Sequence, residues 1–447
     1  AHILGYVRKE GLYERKTGKN GKNVMPNEGD EDDDFYHYYL PDMVGMSGLE
    51  KSFDGWLAGK PGGRLMRVNV SGFKHEDLGI KKGEPGGDLI LAVDSKIQTV
   101  VEQALQDVVG AAVVVDVNTG DILAMASSPA FDPNDFYPAI PLGVWREIEQ
   151  NEDAPLVNKA ISSGYPPGST FKPIVALAAL ENEKASIQTV FNCPGYFYLG
   201  THKFACYMNN AHGTINMLEA LKHSCNVYFY QLGLQAGYQA ILNEGALFGL
   251  GKTAGIDLPY ETEGFLPSRE WKRNKFRDDW RDGDTCNLSV GQGFLLVTPL
   301  QMALLTAAIA NGGKLLKPRL VMAKKKDNET DYRIIPPMIV REIPVNVLNL
   351  GNIRKGMLMV VQEPDGTGRY AKIPDVLMAG KTGTAEDGKK GAGLQYGWMI
   401  VFAPYDKPKY AVAMVVEKAV SGGATVAPRV RGIMQYIFGG SYDGGES

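Results

Sequence analysis

The segment Gly164-Tyr165-Pro166-Pro167-Gly168-Ser169-Thr170-Phe171-Lys172-Pro173 (GYPPGSTFKP) runs from a rigid turn into the apolar stretch Ile174-Val175-Ala176-Leu177-Ala178-Ala179-Leu180. The prolines and glycine make the turn, and the stretch reads as a buried helix, expected over Phe171–Glu181. Ser169 is therefore expected at a helix start, near the positive end of the helix dipole. Lys172 lies one turn up the same face, where it can reach the serine oxygen and take its proton. Alone, this Ser-x-x-Lys spacing says little. A serine in that place caps helices for structural reasons, and Ser71-Gly72-Phe73-Lys74 matches it too.

Two further motifs change the weight. Ser224-Cys225-Asn226 is the only Ser-x-Asn in the chain, set between the helical segments Met217–His223 and Val227–Gly237. Its plain reading is a pair of helix caps. Lys381-Thr382-Gly383-Thr384 ends the apolar run Val376–Lys381, whereas the similar Lys16-Thr17-Gly18 sits in a polar loop. Gly383 lets a substrate backbone lie close to a strand edge, as in peptide addition to a sheet. The order Ser-x-x-Lys, Ser-x-Asn, Lys-Thr-Gly, each in fitting local structure, is the set of penicillin-binding proteins and serine β-lactamases.

Outward from these motifs, Ala111–Val117 and Asp121–Ala126 flank Asn118-Thr119-Gly120 and read as a β-hairpin. Strands resume at Val376–Lys381, Tyr396–Ala403 and Tyr410–Glu417, and a helix over Pro428–Phe438 closes the fold. Thr298-Pro299 is a helix start, with a cap and a proline at the first position, for Pro299–Asn311. The expectation is an α+β fold: an antiparallel sheet with strands from both ends of the domain and a helical block inserted. Residues 89–447 would form this domain and residues 1–88 a partial, non-catalytic one. Lys81–Asp88 (KKGEPGGD) reads as the linker, the acidic run Gly29–Asp34 as a solvated loop, and Gly439–Ser447 as a loose tail.

With 447 residues, a net charge of −4, 44 % apolar and 22 % charged residues, the chain is an ordinary globular protein and no dedicated nucleic-acid binder. It contains no eighteen-residue apolar run and opens on Ala1 without a signal pattern. It reads as a processed or deliberately trimmed fragment.

The chemistry expected of the motifs is acyl transfer. Ser169 attacks a carbonyl and becomes an ester. Lys172, neutral, is the base, and Lys381 with partial desolvation lowers its pKa. Ser224 relays the proton to the leaving amine, and Asn226 holds Lys172 and a substrate amide. The backbone N–H groups of Ser169 and Thr384 would form the oxyanion hole. Lys381, Thr382 and Thr384 would bind a substrate carboxylate, with Gly383 giving access to the strand edge.

At this point the chain resembles the monofunctional (class B) penicillin-binding proteins, most closely the elongation-type penicillin-binding protein 2. Besides the motifs, Met46–Lys51 (MSGLEK) and Gly59–Arg64 (GKPGGR) look like that family's pedestal. Ser289–Gly293 (SVGQG), Thr298–Gln301 (TPLQ) and Trp398–Pro404 (WMIVFAP) look like stretches of its transpeptidase domain. The resemblance implies peptidoglycan D,D-transpeptidation in cell-wall synthesis. Ser169 would be acylated by a D-Ala-D-Ala stem peptide and pass the acyl group to an amine of a neighbouring strand. It also implies covalent inhibition by β-lactams, a role in elongation and cell shape, and no cofactor for the chemistry. A lost membrane anchor, a periplasmic location and a membrane glycosyltransferase partner for the pedestal follow in the same way. The acidic insertion and an incomplete pedestal depart from the pattern.

Cys193, Cys206, His212 and Cys225 are spaced Cys-x12-Cys-x5-His-x12-Cys, three thiols and an imidazole, a donor set for structural zinc. The resemblance adds that some elongation-type members carry a metal beside the Ser-x-Asn motif. A Cys193–Cys206 disulfide and unlinked core thiols are the alternatives, and Cys286 is expected to be a separate buried thiol. Rival functions are a serine β-lactamase, a D,D-carboxypeptidase, a β-lactam sensor, and a structural role that activates a glycosyltransferase. The first needs a deacylating base, which no motif identifies.

Overall fold

The computed structural model describes residues 1–9, 43–386 and 395–439; the acidic run and residues 440–447 of the tail lie outside them. Five strands form the central sheet: β1 (Gly110–Asp116), β2 (Ile122–Ser128), β3 (Ala379–Glu386), β4 (Gln395–Ala403) and β5 (Tyr410–Glu417). The helices that place the site are α1 (Ser95–Ala104), α2 (Lys172–Glu181), α3 (Met217–Lys222), α4 (Asn226–Ala236), α5 (Pro299–Ala310), α6 (Val347–Gln362) and α7 (Ala427–Ile437).

The sheet is antiparallel throughout, in the order β3-β4-β5-β1-β2, so strands from the two ends of the domain meet at its middle. The β1–β2 hairpin turns on Asp116, whose Oδ1 accepts from the N–H groups of Asn118 (2.7 Å) and Thr119 (3.2 Å). Gly120 follows at φ +79°, a left-handed conformation that glycine adopts without strain. Cross-strand partners share a face, and one row runs Met125–Val113–Ala413–Ile400–Lys381. Its apolar members pack against α2, α4 and α5 in one core. The alternate row, Ala112, Met414 and Met399, packs with α1, α7 and the end of α6 in a second core. Lys381 therefore projects from the edge strand towards the inserted helical block.

α2 and α5 are buried on all sides, as their unbroken apolar sequences require. α5 starts in a capping box: Gln301 N–H donates to Thr298 Oγ1 (3.1 Å) and Thr298 N–H to Gln301 Oε1 (2.9 Å).

Two local expectations are corrected. The run expected to end at Lys381 is the first part of a strand that begins at Ala379 and continues to Glu386, paired with Gln395. Gly380, Gly383 and the threonines carry too little hydrophobicity to advertise it, and backbone pairing with β4 holds it. Ser169 lies in a 3₁₀ turn, Gly168–Phe171, and α2 begins only at Lys172 with Pro173 in its first turn. Ser169 is thus one tight turn ahead of the α-helix.

In the N-terminal part, Gly63–Val68 and Lys74–Lys81 form a projecting, mostly exposed hairpin. The segment after it is tied down, with Lys60 and Glu84 exchanging backbone hydrogen bonds of 2.8 and 2.9 Å. Asp88–Leu91 then pairs with Val321–Lys325. The first residues reach the main core: Ile3 and Leu49 belong to it, His2 Nε2 lies 2.8 Å from Pro155 O, and Tyr6 stacks on Phe136 at 3.8 Å.

Candidate active site

The turn holding Ser169 is wedged between β3 and the Gly291 loop. Gly168 has φ +55°, and a Cβ there would stand 2.7 Å from Thr384 O. Its N–H donates to Gly291 O (2.9 Å), and a Cβ on Gly291 would strike Gly168 O at 2.1 Å. Only glycines permit this approach. Trp398 Nε1–H donates to Pro166 O (3.0 Å) and Thr170 Oγ1 to Pro167 O (2.7 Å), fixing the turn from both sides. Ser169 itself is half-buried, and among the described residues its hydroxyl makes no hydrogen bond.

Lys172 is fully buried. Its ammonium donates to Ser224 O (2.7 Å), Asn226 Oδ1 (2.7 Å) and Ser224 Oγ (3.3 Å), and lies 5.2 Å from the centre of the Phe229 ring. The expected bond to the Ser169 oxygen is replaced by these three. The lysine crosses to the Ser-x-Asn turn because that turn offers three oxygens inside an apolar wall. Burial lowers its pKa to about 8, with the Cys225 and Cys206 thiols acting the other way.

Ser224 links α3 to α4 at φ +55°, a left-handed conformation rare for serine. Such a residue persists where its surroundings over-determine it. Here the constraint is double, since its carbonyl and hydroxyl both face buried ammonium groups. Lys381 Nζ donates to Ser224 Oγ (2.9 Å) and Thr382 O (2.9 Å). Lys381 is fully buried, and its pKa is driven well below the ordinary lysine value by burial and then by the Lys172 charge. Among the described residues neither lysine has a carboxylate partner. With both ammonium groups donating to it, the Ser224 hydroxyl keeps its own proton for another acceptor.

Thr384 is half-buried and accepts from Gly422 N–H (3.3 Å), which leaves its hydroxyl proton unused by that bond. Gly422 opens a wide turn, Gly422–Val426, pressed on the strand: a Cβ there would lie 2.2 Å from Trp398 O and 2.3 Å from Gly383 O. Thr382, 6 % exposed, donates to Thr367 Oγ1 (3.0 Å). Thr367 was not singled out in the sequence; the flanking Gly366 and Gly368 were its only signal. The structure thus gathers Lys172, Ser224, Asn226, Lys381 and Thr382 into one hydrogen-bonded group, with the Ser169 turn packed on the same strand. Of the two imitating motifs, Ser71–Lys74 lies at the exposed hairpin tip, where Lys74 pairs with Asp77 (2.6 Å), and Lys16–Gly18 lies outside the described residues.

Behind Ser224, the donor atoms of Cys193, Cys206, His212 and Cys225 all lie within 4.8 Å of one another. His212 Nδ1 stands 3.5 Å from Cys193 Sγ and 3.6 Å from Cys206 Sγ, and Cys206 Sγ is 3.9 Å from Cys225 Sγ. All four cysteines, Cys286 included, are free thiols, so the Cys193–Cys206 disulfide is not formed.

Comparison with known proteins agrees with this geometry. Residues 110–435 match the penicillin binding protein transpeptidase domain, and residues 1–91 the penicillin-binding protein dimerisation domain. The peptidoglycan D,D-transpeptidase MrdA of Acinetobacter baumannii is 35 % identical over 445 residues, 95 % of this chain; the chain spans 62 % of that relative's length. A chain of a peptidoglycan synthase complex that coordinates polymerization and crosslinking superposes with TM-score 0.83 at 29 % identity, covering 100 % of this chain and 75 % of its own. Penicillin-binding protein A of Mycobacterium tuberculosis, as its penicillin G acyl-enzyme, gives TM-score 0.70 at 30 % identity over 79 % of this chain and 81 % of its own. A transpeptidase domain joined to a dimerisation domain places the chain: it belongs to the penicillin-binding protein family.

Proposed function

We propose that this chain is the extracytoplasmic part of a peptidoglycan D,D-transpeptidase with Ser169 as nucleophile, acting in wall elongation and cell shape. The observation that carries this reading is the meeting of two buried ammonium groups on Ser224 Oγ, 2.9 Å from Lys381 and 3.3 Å from Lys172. Burial in such a pairing brings the Lys172 pKa down to about 8, so that a usable fraction of it is neutral near physiological pH and ready as a base.

The steps follow. Neutral Lys172 takes the Ser169 proton as Oγ bonds to the carbonyl carbon of the penultimate D-Ala. The oxygen that becomes negative is held by the N–H groups of Ser169 and Thr384. The C–N bond then breaks, and the terminal D-Ala amine leaves with a proton handed on through Ser224. Asn226 keeps Lys172 in line and holds the stem-peptide amide. Lys381, Thr382 and Thr384 take the terminal carboxylate, and Gly383 lets the peptide lie against β3. An amine from a neighbouring strand next attacks the ester, loses a proton to the same base, and restores Ser169. A β-lactam enters the same path and stops at the ester.

Residues 1–88 serve as the pedestal and residues 89–447 as the transpeptidase domain. The pedestal contacts a membrane glycosyltransferase, a reading supported by the likeness to a complex that couples polymerization to crosslinking. The location is periplasmic, with an anchor outside this chain. Among the described residues no helix is long and apolar enough to cross a membrane.

Zinc bound by Cys193, Cys206, His212 and Cys225 would pin the Ser224 turn from behind. Tetrahedral zinc at ~2.3 Å from sulfur and ~2.0 Å from nitrogen sets S···S near ~3.8 Å and S···N near ~3.5 Å. Three of the six separations in the cluster, 3.9, 3.5 and 3.6 Å, match that geometry, and the six extend to 4.8 Å. The metal would supply rigidity there and no chemical step.

The test is a donor pentapeptide ending in D-Ala-D-Ala, incubated with and without an acceptor amine. Release of D-Ala with a cross-linked product, lost in Ser169→Ala, supports the transpeptidase. Release to water alone would make the chain a carboxypeptidase.

A further inference from the structure

Thr367 sits where three parts of the cleft converge. It lies in the loop after α6, between two glycines that the packing demands: a Cβ on Gly366 would strike Val360 O at 2.3 Å, and one on Gly368 would crowd Val360 Cγ1 at 3.0 Å. Its carbonyl abuts the wide turn beside Thr384, 2.8 Å from where a Cβ on Gly423 would be. Its hydroxyl donates to Lys222 O (3.2 Å), and its N–H points to the same oxygen (3.4 Å). That carbonyl ends α3, two residues before Ser224.

Proton directions follow from chemistry. A carbonyl only accepts, so the Thr367 proton goes to Lys222 O, and the 3.0 Å bond between the threonines must use the Thr382 proton. Thr367 is in turn held firmly. The Lys222 ammonium, 8 % exposed, is ringed by Glu219 (2.9 Å), Glu363 (3.0 Å) and Asp365 (3.1 Å), and the last two carboxylates belong to the same loop as Thr367. This clamp ties loop 363–368 to α3, and the threonine pair ties the loop to β3.

We propose that Thr367 is a positioning residue for the acyl donor. It holds the Thr382 side chain in one orientation: when an arriving carboxylate draws the Thr382 proton, the Thr367 O–H turns from Lys222 O to Thr382 Oγ1, so the 3.0 Å bond persists with its direction reversed, the Thr367 N–H stays on Lys222 O, and no heavy atom moves. The inference rests on the transpeptidase reading, in which Thr382 meets the donor's terminal carboxylate. Thr367 touches no reacting atom, so its loss weakens binding before acylation and spares the chemical step.

The experiment is stopped-flow acylation by benzylpenicillin, resolved into the dissociation constant before the covalent step and the first-order acylation constant. Thr367→Val, Thr367→Ser, Thr382→Val and the Thr367→Val/Thr382→Val pair are compared with the wild type. Thr367→Val is expected to weaken binding about tenfold, as for one lost oriented hydrogen bond, and to leave the acylation constant within about twofold. Thr367→Ser is expected to restore binding, and the double variant to bind no more weakly than Thr382→Val alone. Binding unchanged in Thr367→Val, effects that multiply in the double variant, or no rescue by serine would overturn the inference. If Thr367→Val loses its cooperative unfolding transition, Thr367→Ala replaces it with the same expectations. A wild type that forms no Ser169 ester overturns the function and this inference together, whereas a labelled wild type with an unaffected Thr367→Val overturns this inference alone.

Discussion

Lys172 and Lys381, both fully buried and with no carboxylate between them, meet at one hydroxyl: Ser224 Oγ lies 3.3 Å from the first ammonium and 2.9 Å from the second. Burial lowers the Lys172 pKa to about 8, and burial together with the Lys172 charge drives that of Lys381 well below the ordinary lysine value. The cost of burial thereby becomes the source of the base.

The first expectation is a pH profile. Lys172, lowered by burial to about 8, must be neutral to accept the Ser169 proton. The second-order acylation constant with benzylpenicillin should rise about tenfold per pH unit below this value and level off above it. Lys172→Arg, whose guanidinium stays charged, should cost roughly two to four orders of magnitude at every pH. A flat profile between pH 5 and 9 would remove Lys172 as the base.

Glu244 offers a test of stability. It is 5 % exposed in the helix Tyr238–Leu247, and burial, with the Glu181 charge second, raises its pKa to about 7 from the ordinary 4.5. Between these two values the folded chain holds a proton that the unfolded chain releases. Its contribution is therefore most favourable below pH 4.5 and declines as pH rises to about 7. Glu244→Gln should be more stable than the wild type by about 1–3 kcal/mol near pH 8 and equal to it near pH 4, measured by denaturant titration.

For the metal, elemental analysis of the purified chain should find about one zinc, lost in Cys206→Ser. A strong chelator should lower the melting temperature of the wild type by several degrees and leave that of Cys206→Ser unchanged. Metal-free protein that melts at the same temperature with and without chelator would leave the cluster as packed thiols.

The legible parts of this site were those written in neighbouring residues. The Ser169 turn, the Ser224–Asn226 turn and the β1–β2 hairpin each carry their geometry in proline, glycine or cap residues beside them, so local chemistry exposes them. The sequence reading of β3 stops at Lys381 because Thr382, Gly383 and Thr384 end its apolar pattern, and its pairing with β4 comes from a strand later in the chain. The Asn226 partner of Lys172 is legible from the motif, whereas its bonds to Ser224 are not. On the helix Ser169 is its nearest neighbour, but Ser224 and Asn226, 52 and 54 positions away, offer oxygens inside the buried wall. Thr367 and Lys222 join the site only through tertiary contact; the flanking Gly366 and Gly368 are the one local mark of Thr367, and no local pattern marks Lys222. The four metal-type ligands were legible by kind, while their closeness to one another appears only in the fold.

The most direct measurement is the intact mass of the chain after incubation with benzylpenicillin, beside Ser169→Ala. A gain of one penicillin on the wild type, lost slowly and absent from the variant, is the expected result and identifies the acyl-enzyme and its nucleophile. A folded wild type that gains no mass, or an adduct that persists in Ser169→Ala, would contradict the assignment of Ser169.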